Sequence, residues 1–228
     1  MRAINMLRLL FGASAVGALV FTTSAAHAQT VQAQVVPCNE TALVNAVDAA
    51  NAAGGGDLIL APFCTYTLTS AHSSGGSGGP AGLPRITTPI TMTGMFNEIT
   101  RASNADAFRI IEVDGSSQLP SAHGQLTLTS VSVSNGDAGL GVGGGIAALG
   151  GSVTLTTGGV HDNRASFGGG IYTDTALTMT ASSVTGNTAT SNGGGVFKND
   201  GSATLLATNV SGNTPNSCAA KPPLPSPC

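Results

Sequence analysis

The sequence predicts an all-β solenoid, a parallel β-helix of about six to seven coils closed at its start by a short helix. Three observations carry that reading. GGG followed by Ile or Val occurs at Gly143, Gly168 and Gly193, in steps of 25 residues. Apolar residues alternate with threonine inside each copy, Leu126 and Leu128 against Thr127 and Thr129, then Val153 and Leu155 against Thr154 and Thr156. Each copy also sets an apolar residue five places before a valine: Leu128 and Val133, Leu155 and Val160, Met179 and Val184, Leu205 and Val210. Period two marks a strand with one buried face. A repeat of about 25 residues marks a solenoid, whose units cannot fold alone but bury a continuous apolar column when stacked.

The elements follow in chain order. Residues 1–28 read as a secretory signal peptide, with Arg2 and Arg8 before an apolar run and the small residues of Ala26-His27-Ala28 at a cleavage point. The run from Leu9 to Val20 is short of the ~20 residues a membrane span needs, so no span is expected after cleavage. An uncleaved anchor is the competing reading. Residues 29–56 are expected to hold a capping helix, since Leu43, Val47 and Ala50 share a helical face, Asn39 or Thr41 can cap its start, and Gly54 to Gly56 ends it. Such a cap would shield the first coil from strand addition.

Residues 57–218 are assigned to the β-helix. DLILAPFCTYTLT gives two short strands around a proline turn, and AHSSGGSGGP, Ala71 to Pro80, reads as a flexible excursion from the wall. PITMTG, NEITR and AFRIIEVDG supply further strands before the regular copies begin at Gly124. In those copies the glycines fall at one corner, where a missing Cβ permits φ > 0 and close backbone approach. Asn135, Asn163, Asn187 and Asn213 mark a second corner, where asparagine tolerates the left-handed conformation. Residues 219–228 contain KPPLPSPC, which cannot be regular strand or helix, and are expected to wrap the last coil as a tail.

Four cysteines, at 38, 64, 218 and 228, allow three pairings in the oxidising compartment an exported chain meets. A long rod between the two clusters would hold them too far apart to cross-link, which favours Cys38 with Cys64 and Cys218 with Cys228. No C-x-x-C is present and the histidines do not cluster with cysteine, so neither a metal site nor a cofactor is expected. Without Arg2 and Arg8, six basic residues face eleven acidic ones. That balance, with no basic cluster, argues against a nucleic-acid partner.

GGGIYTDTALTMTASSVTGN and NGGGVFKNDGSATLLATNVSGN resemble the right-handed parallel β-helix repeats of secreted bacterial proteins in the pectin-lyase-like superfamily. Similar glycine-glycine-x-Ile repeats occur in polymorphic outer-membrane proteins. The resemblance runs from about Thr41 to Cys218 and bears on the fold, while the signal peptide implies an extracellular or cell-surface protein, or a periplasmic one. Enzymes of that superfamily would show N-x-D, D-D, G-H-G and R-x-K; only Asn104-Ala105-Asp106 matches. Lyase-like members gather carboxylates for calcium and use an Arg or Lys base. Here Asp137, Asp162, Asp174 and Asp200 are scattered singly, while Glu112 and Asp114 could face outward together as a small acidic patch.

Three groups compete for function. The column after each GGG-Ile/Val holds Ala147, Tyr172 and Phe197, with Asp174 and Lys198 nearby, so Tyr172, Phe197 and Lys198 form a candidate platform for a sugar ring or a protein. Aromatic stacking for stability alone is the plainer reading. His161, Asp162 and Arg164 are the candidate catalytic group, the first two able to share acid and base roles. Stacking also places Arg164 one coil from Asp137, predicting an ion pair. Thr91 and Thr93, Thr127 and Thr129, Thr154 and Thr156, Thr178 and Thr180, then Thr204, form an outward ladder that could order water and bind ice, broken at Leu206. The favoured expectation is a non-catalytic binding, adhesion or structural module whose partner is a polysaccharide or a cell-surface protein. A polysaccharide lyase or glycoside hydrolase is the alternative, and an ice-binding wall the third reading.

Overall fold

A computed structural model describes residues 33–74, 78–118 and 121–228, so the expected signal peptide lies outside the described residues. Strand β1 (Gln34–Val36) leads into helix α1 (Glu40–Ala53), followed by β2 (Gly56–Leu60), β3 (Thr65–Leu68), β4 (Pro89–Arg101), β5 (Ile111–Asp114) and β6 (Gln125–Ser134). The regular copies give β7 (Ile146–Leu149), β8 (Ser152–Thr156), β9 (Gly159–His161), β10 (Arg164–Phe167), β11 (Ile171–Thr173), β12 (Ala176–Thr180), β13 (Ser183–Thr185) and β14 (Thr188–Asn192). β15 (Val196–Lys198), β16 (Ser202–Leu206), β17 (Asn209–Ser211) and β18 (Cys218–Ala220) complete the chain.

Every named strand pairs in parallel with the strand one repeat away, the arrangement of a parallel β-solenoid. One face runs β1-β2-β4-β6-β8-β12-β16, and the second halves of β4 and β6 carry it round a corner to β3, β9, β13 and β17. A separate five-stranded sheet runs β5-β7-β11-β15-β18, and β10 pairs β14. Inward residues of successive ranks stack directly: Met92, Leu128, Leu155, Met179 and Leu205 in one column, Ile111, Ile146, Ile171, Val196 and Cys218 in another. Apart from the last rank these are buried. The column is therefore the core, and the apolar alternation of the sequence is its cause.

Helix α1 seals the first rank with Leu43, Ala46 and Val47 fully buried. Asn39 is its N-cap, accepting from the Ala42 N–H at 2.8 Å, and Gly54 ends it in the left-handed conformation at φ 82°. The cap residue left open by the sequence is thus Asn39. β1, just ahead of the helix, carries too short a pattern to be read alone and exists through pairing with β2. Both disulfides form as expected, Cys38 with Cys64 and Cys218 with Cys228, and they fit an oxidising compartment. Among the described residues no helix is long and apolar enough to cross a membrane.

The triple glycine has three separate causes. Gly168 takes φ 60°; a Cβ on Gly169 would fall against the Thr188 carbonyl and 2.6 Å from the Gly194 oxygen; one on Gly170 would lie 2.7 Å from the Gly195 oxygen. The asparagine corner differs from expectation. Left-handed backbone falls on Asn135, Asp162, Gly186 and Gly212, so only Asn135 of the four asparagines adopts it. Asn163, Asn187 and Asn213 stand one place later, buried, as an amide ladder. Asn187 Oδ1 accepts from the Asn163 N–H at 3.0 Å, and Asn213 Oδ1 from the Asn187 N–H at 2.9 Å. Each Nδ2 also donates to a backbone carbonyl of the preceding rank, Val133, Val160 and Val184 respectively.

After the excursion the chain rejoins the wall: Ala81 bridges Arg109, Leu83 N–H donates to Ile110 and Ile86 N–H to Glu112. Residues from Ala81 therefore precede β5 as another rank. Glu112 and Asp114 are not an outward patch, because this segment buries them beside Arg109. Arg85 Nη1 reaches Asp114 Oδ2 at 3.1 Å, and Arg109 Nε lies 3.6 Å from Glu112 Oε2. Burial raises the Asp114 carboxyl pKa, with the neighbouring Arg85 charge opposing it. In the last rank Ala203, Leu205 and Val210 stay partly exposed, while Lys221 and Pro222 of the tail border a groove on the outer sheet.

Candidate functional site

The groove lies on the outer face of the five-stranded sheet. Parallel register aligns Ala147, Tyr172, Phe197 and Ala219 on that face. The Tyr172 and Phe197 rings stack at 5.8 Å with planes 10° apart, and Phe167 tilts against Phe197 at 5.0 Å and 59°. Phe167 comes from β10, where it is in register with Asn192 of β14. Because Ala147 and Ala219 are small, the aromatic stack ends abruptly on both sides. The resulting cavity, about 450 Å³, is bounded by Phe167, Tyr172, Phe197, Asn192, Asn199 and Lys221.

Its chemistry is mixed in a useful way: apolar ring surface, two amides and one ammonium group. Burial, and next the charge of Asp174, push the Tyr172 phenol up to about 12. The hydroxyl therefore stays protonated at neutral pH and can donate a hydrogen bond. Asp174 is itself engaged, its Oδ1 accepting from the Gly150 N–H at 2.6 Å. Of the residues expected here, Tyr172 and Phe197 come together and Lys198 does not. Lys198 is in register with the inward-facing Ala148 and Thr173 and is largely buried, because strand alternation puts it on the opposite side from Phe197. The cation beside the rings is Lys221, and the third ring is Phe167. Both were missed; a position 30 residues before Phe197 and a proline-rich tail carry no periodic signal tying them to the column.

The candidate catalytic group lies on another face. His161 Nδ1 is 3.0 Å from Asp162 Oδ2, and its Nε2 is 3.6 Å from Glu98 Oε1, which accepts from Ser134 Oγ at 2.5 Å. Glu98 escaped the sequence reading because only coil stacking, with β4 two strands away, brings it to His161. A shallow depression of about 500 Å³ beside His161 is floored by Gly159 between Ser132 and Ser183. This trio can shuttle a proton.

Arg164 is not part of it. The register with Asp137 is as expected, yet the ion pair is not among those formed by the described residues. Asp137 Oδ1 instead accepts from the Gly139 N–H at 2.8 Å, closing its own turn. The Asn104-Ala105-Asp106 match sits in a turn after β4, where Arg101 Nη1 donates to the Ala105 carbonyl at 2.8 Å. Among the described residues no group of three or more His, Cys, Asp or Glu is placed to hold a metal ion.

The threonine ladder is in register. Thr91, Thr127, Thr154, Thr178 and Thr204 form one column, and Thr93, Thr129, Thr156 and Thr180 a second that ends at Leu206. Asp57 and Ile59 precede the two columns at the other end. Comparison with known proteins finds no matching family model, no matching curated protein and no matching solved structure.

Proposed function

We propose that this chain is an exported, right-handed parallel β-helix of six to seven coils, of the pectin-lyase-like kind, that binds a polysaccharide without cleaving it. The supporting observation is the groove of Phe167, Tyr172 and Phe197 with Asn192, Asn199 and Lys221 at its rim. Sugar rings present apolar C–H faces to aromatic side chains and hydroxyls to amides, and an ammonium adds preference for a carboxylated sugar.

The chain has no tryptophan and two tyrosines, and Tyr66 is fully buried. Tyr66 is out of reach of a ligand, so a ligand-induced change in tyrosine fluorescence reports on Tyr172. Titration with acidic and neutral polysaccharides is expected to change that signal, and Tyr172→Ala to weaken binding measured by calorimetry about tenfold, the scale of one lost aromatic contact. Binding of a cell-surface protein and no glycan would replace the polysaccharide. Release of shorter products, abolished by His161→Ala or Asp162→Ala, would establish the lyase or hydrolase alternative.

The aligned threonines favour a second reading. Nine hydroxyl-bearing residues in two columns give spacings of about 4.8 Å and 7 Å, a lattice able to order water. Thermal hysteresis of the purified protein would support an ice-binding wall, and its absence would remove that reading.

A further inference from the structure

The first two ranks carry an apolar knob that the solenoid does not need. Between Thr93 and Asn97 the register with β6 shifts, four steps on β4 facing two on β6, so two extra residues are pushed outward. The preceding rank takes one more residue over the same corner. At the apex Phe63 and Phe96 stack with planes 8° apart at 6.1 Å, and they are 69% and 83% exposed. Both take left-handed backbone, φ 57° and 55°, an uncommon and costly state for a bulky side chain. The same corner in later ranks uses Ser130, Thr157, Ala181 and Ala207 at φ between 48° and 55°. Packing therefore makes no demand for phenylalanine there.

The knob is held rigidly from below. Asn97, almost fully buried, accepts from the Met95 N–H at 2.6 Å and donates to the Ala61 and Cys64 carbonyls at 2.6 and 3.1 Å. Phe63 N–H bonds Met95 O at 3.0 Å, and Cys64 is tied to Cys38. Two exposed rings fixed in advance lose little entropy on contact, the property of a binding anchor.

We propose that this knob joins two copies of the chain about a two-fold axis. Ile59 (38% exposed) and Met95 (50%) extend the patch along the same ranks, and Val35 (70%), in register with Ile59, continues it onto β1. None of these five side chains is charged, so identical patches can meet without like-charge repulsion. With about 200 Å² for a whole aromatic side chain, the two rings offer about 300 Å². An isologous contact including the flanking residues hides on the order of 1,000 Å² in total, the lower bound for a specific interface. A glycan fits less well, because the amide of Asn97 already has its partners. An anionic bilayer fits less well because the patch has no Lys or Arg to meet its headgroups.

Sedimentation velocity over a concentration series tests the proposal. A monomer–dimer equilibrium with Kd on the order of 10 μM is expected for a contact of this size. The double substitution Phe63→Ser with Phe96→Ser, which installs the residue that the corner accepts at Ser130, should weaken it at least tenfold. Should that variant misfold, Met95→Lys serves instead by placing like charges across the axis. A wild-type protein that stays monomeric to about 1 mM, or variants that dimerise as wild type does, would overturn the proposal. So would a monomer that binds phosphatidylcholine vesicles through the same rings.

Discussion

Asn187→Ala tests whether the buried amide ladder, beyond apolar stacking, sets the alignment of the ranks. Asn187 is wholly inaccessible to solvent. Its Oδ1 accepts from the Asn163 N–H and Nδ2, both at 3.0 Å, and its Nδ2 donates to Val160 O at 2.8 Å and Thr185 O at 3.1 Å. Truncation leaves the Asn163 N–H without an acceptor and strips a donor from the Val160 carbonyl. Each such loss costs about 1–3 kcal/mol when buried. The expected destabilisation is therefore about 2–6 kcal/mol, a large share of the 5–15 kcal/mol typical of a domain. Asn213 closes the ladder at 9% exposure, where water can take over its bonds, so Asn213→Ala should cost about half as much. Exposed Asn192→Ala should stay within about 0.5 kcal/mol. Urea unfolding followed by far-UV circular dichroism measures all three. A loss below about 1 kcal/mol at Asn187, or a larger loss at Asn213, would refute the ladder's role.

Other outcomes follow from single environments. Gly169→Ala drives a methyl group into the Thr188 carbonyl and should cost at least about 3 kcal/mol in the same unfolding assay, beyond ordinary overpacking. Asp114 has its pKa raised in the folded state, chiefly by burial, so its contribution to stability is complete below the ordinary carboxylate pKa and declines as pH rises through the folded value. Asp114→Asn should therefore gain stability relative to wild type between acid and neutral pH, measured as paired melting curves. The Tyr172 phenol, held up at about 12, should ionise in ultraviolet titration only in strong base, and Asp174→Asn should bring that transition down.

The regular half of the fold was legible because a solenoid repeats its physics. Leu128, Leu155, Met179 and Leu205 occupy one column for the same reason each time, and the copies announce it. The amide ladder was half visible: the asparagines were found, but the positive φ belongs to Asp162, Gly186 and Gly212 one place earlier, because an amide turned inward needs its own backbone in register with the ladder. Singular contacts were invisible. Arg109 is buried and donates to the Val142 carbonyl at 2.8 Å, and nothing in AFRIIEVDG distinguishes it from a surface arginine. The groove was read through Tyr172 and Phe197, which recur in step, whereas Phe167 and Lys221 enter from a corner and from the tail.

The two aromatic clusters differ in what they require of the fold, and the difference bears on function. Tyr172 and Phe197 stand on ordinary strand backbone and shield one another, so their stacking returns stability even with no ligand present. Phe63 and Phe96 occupy strained backbone and expose most of their surface, so in an isolated copy they return little. Yet Asn97, with three hydrogen bonds committed to the loops beneath them, keeps the rings in place. A fold that accepts serine, threonine or alanine at the same corner four times has no structural need of phenylalanine twice. Exposed rings that the corner does not need, braced from below, point outward, to a contact that covers them. Substituting Phe63 and Phe96 by serine should accordingly leave the monomer at least as stable as wild type while removing self-association. A monomer weakened by more than about 1 kcal/mol would show that the rings serve the fold itself.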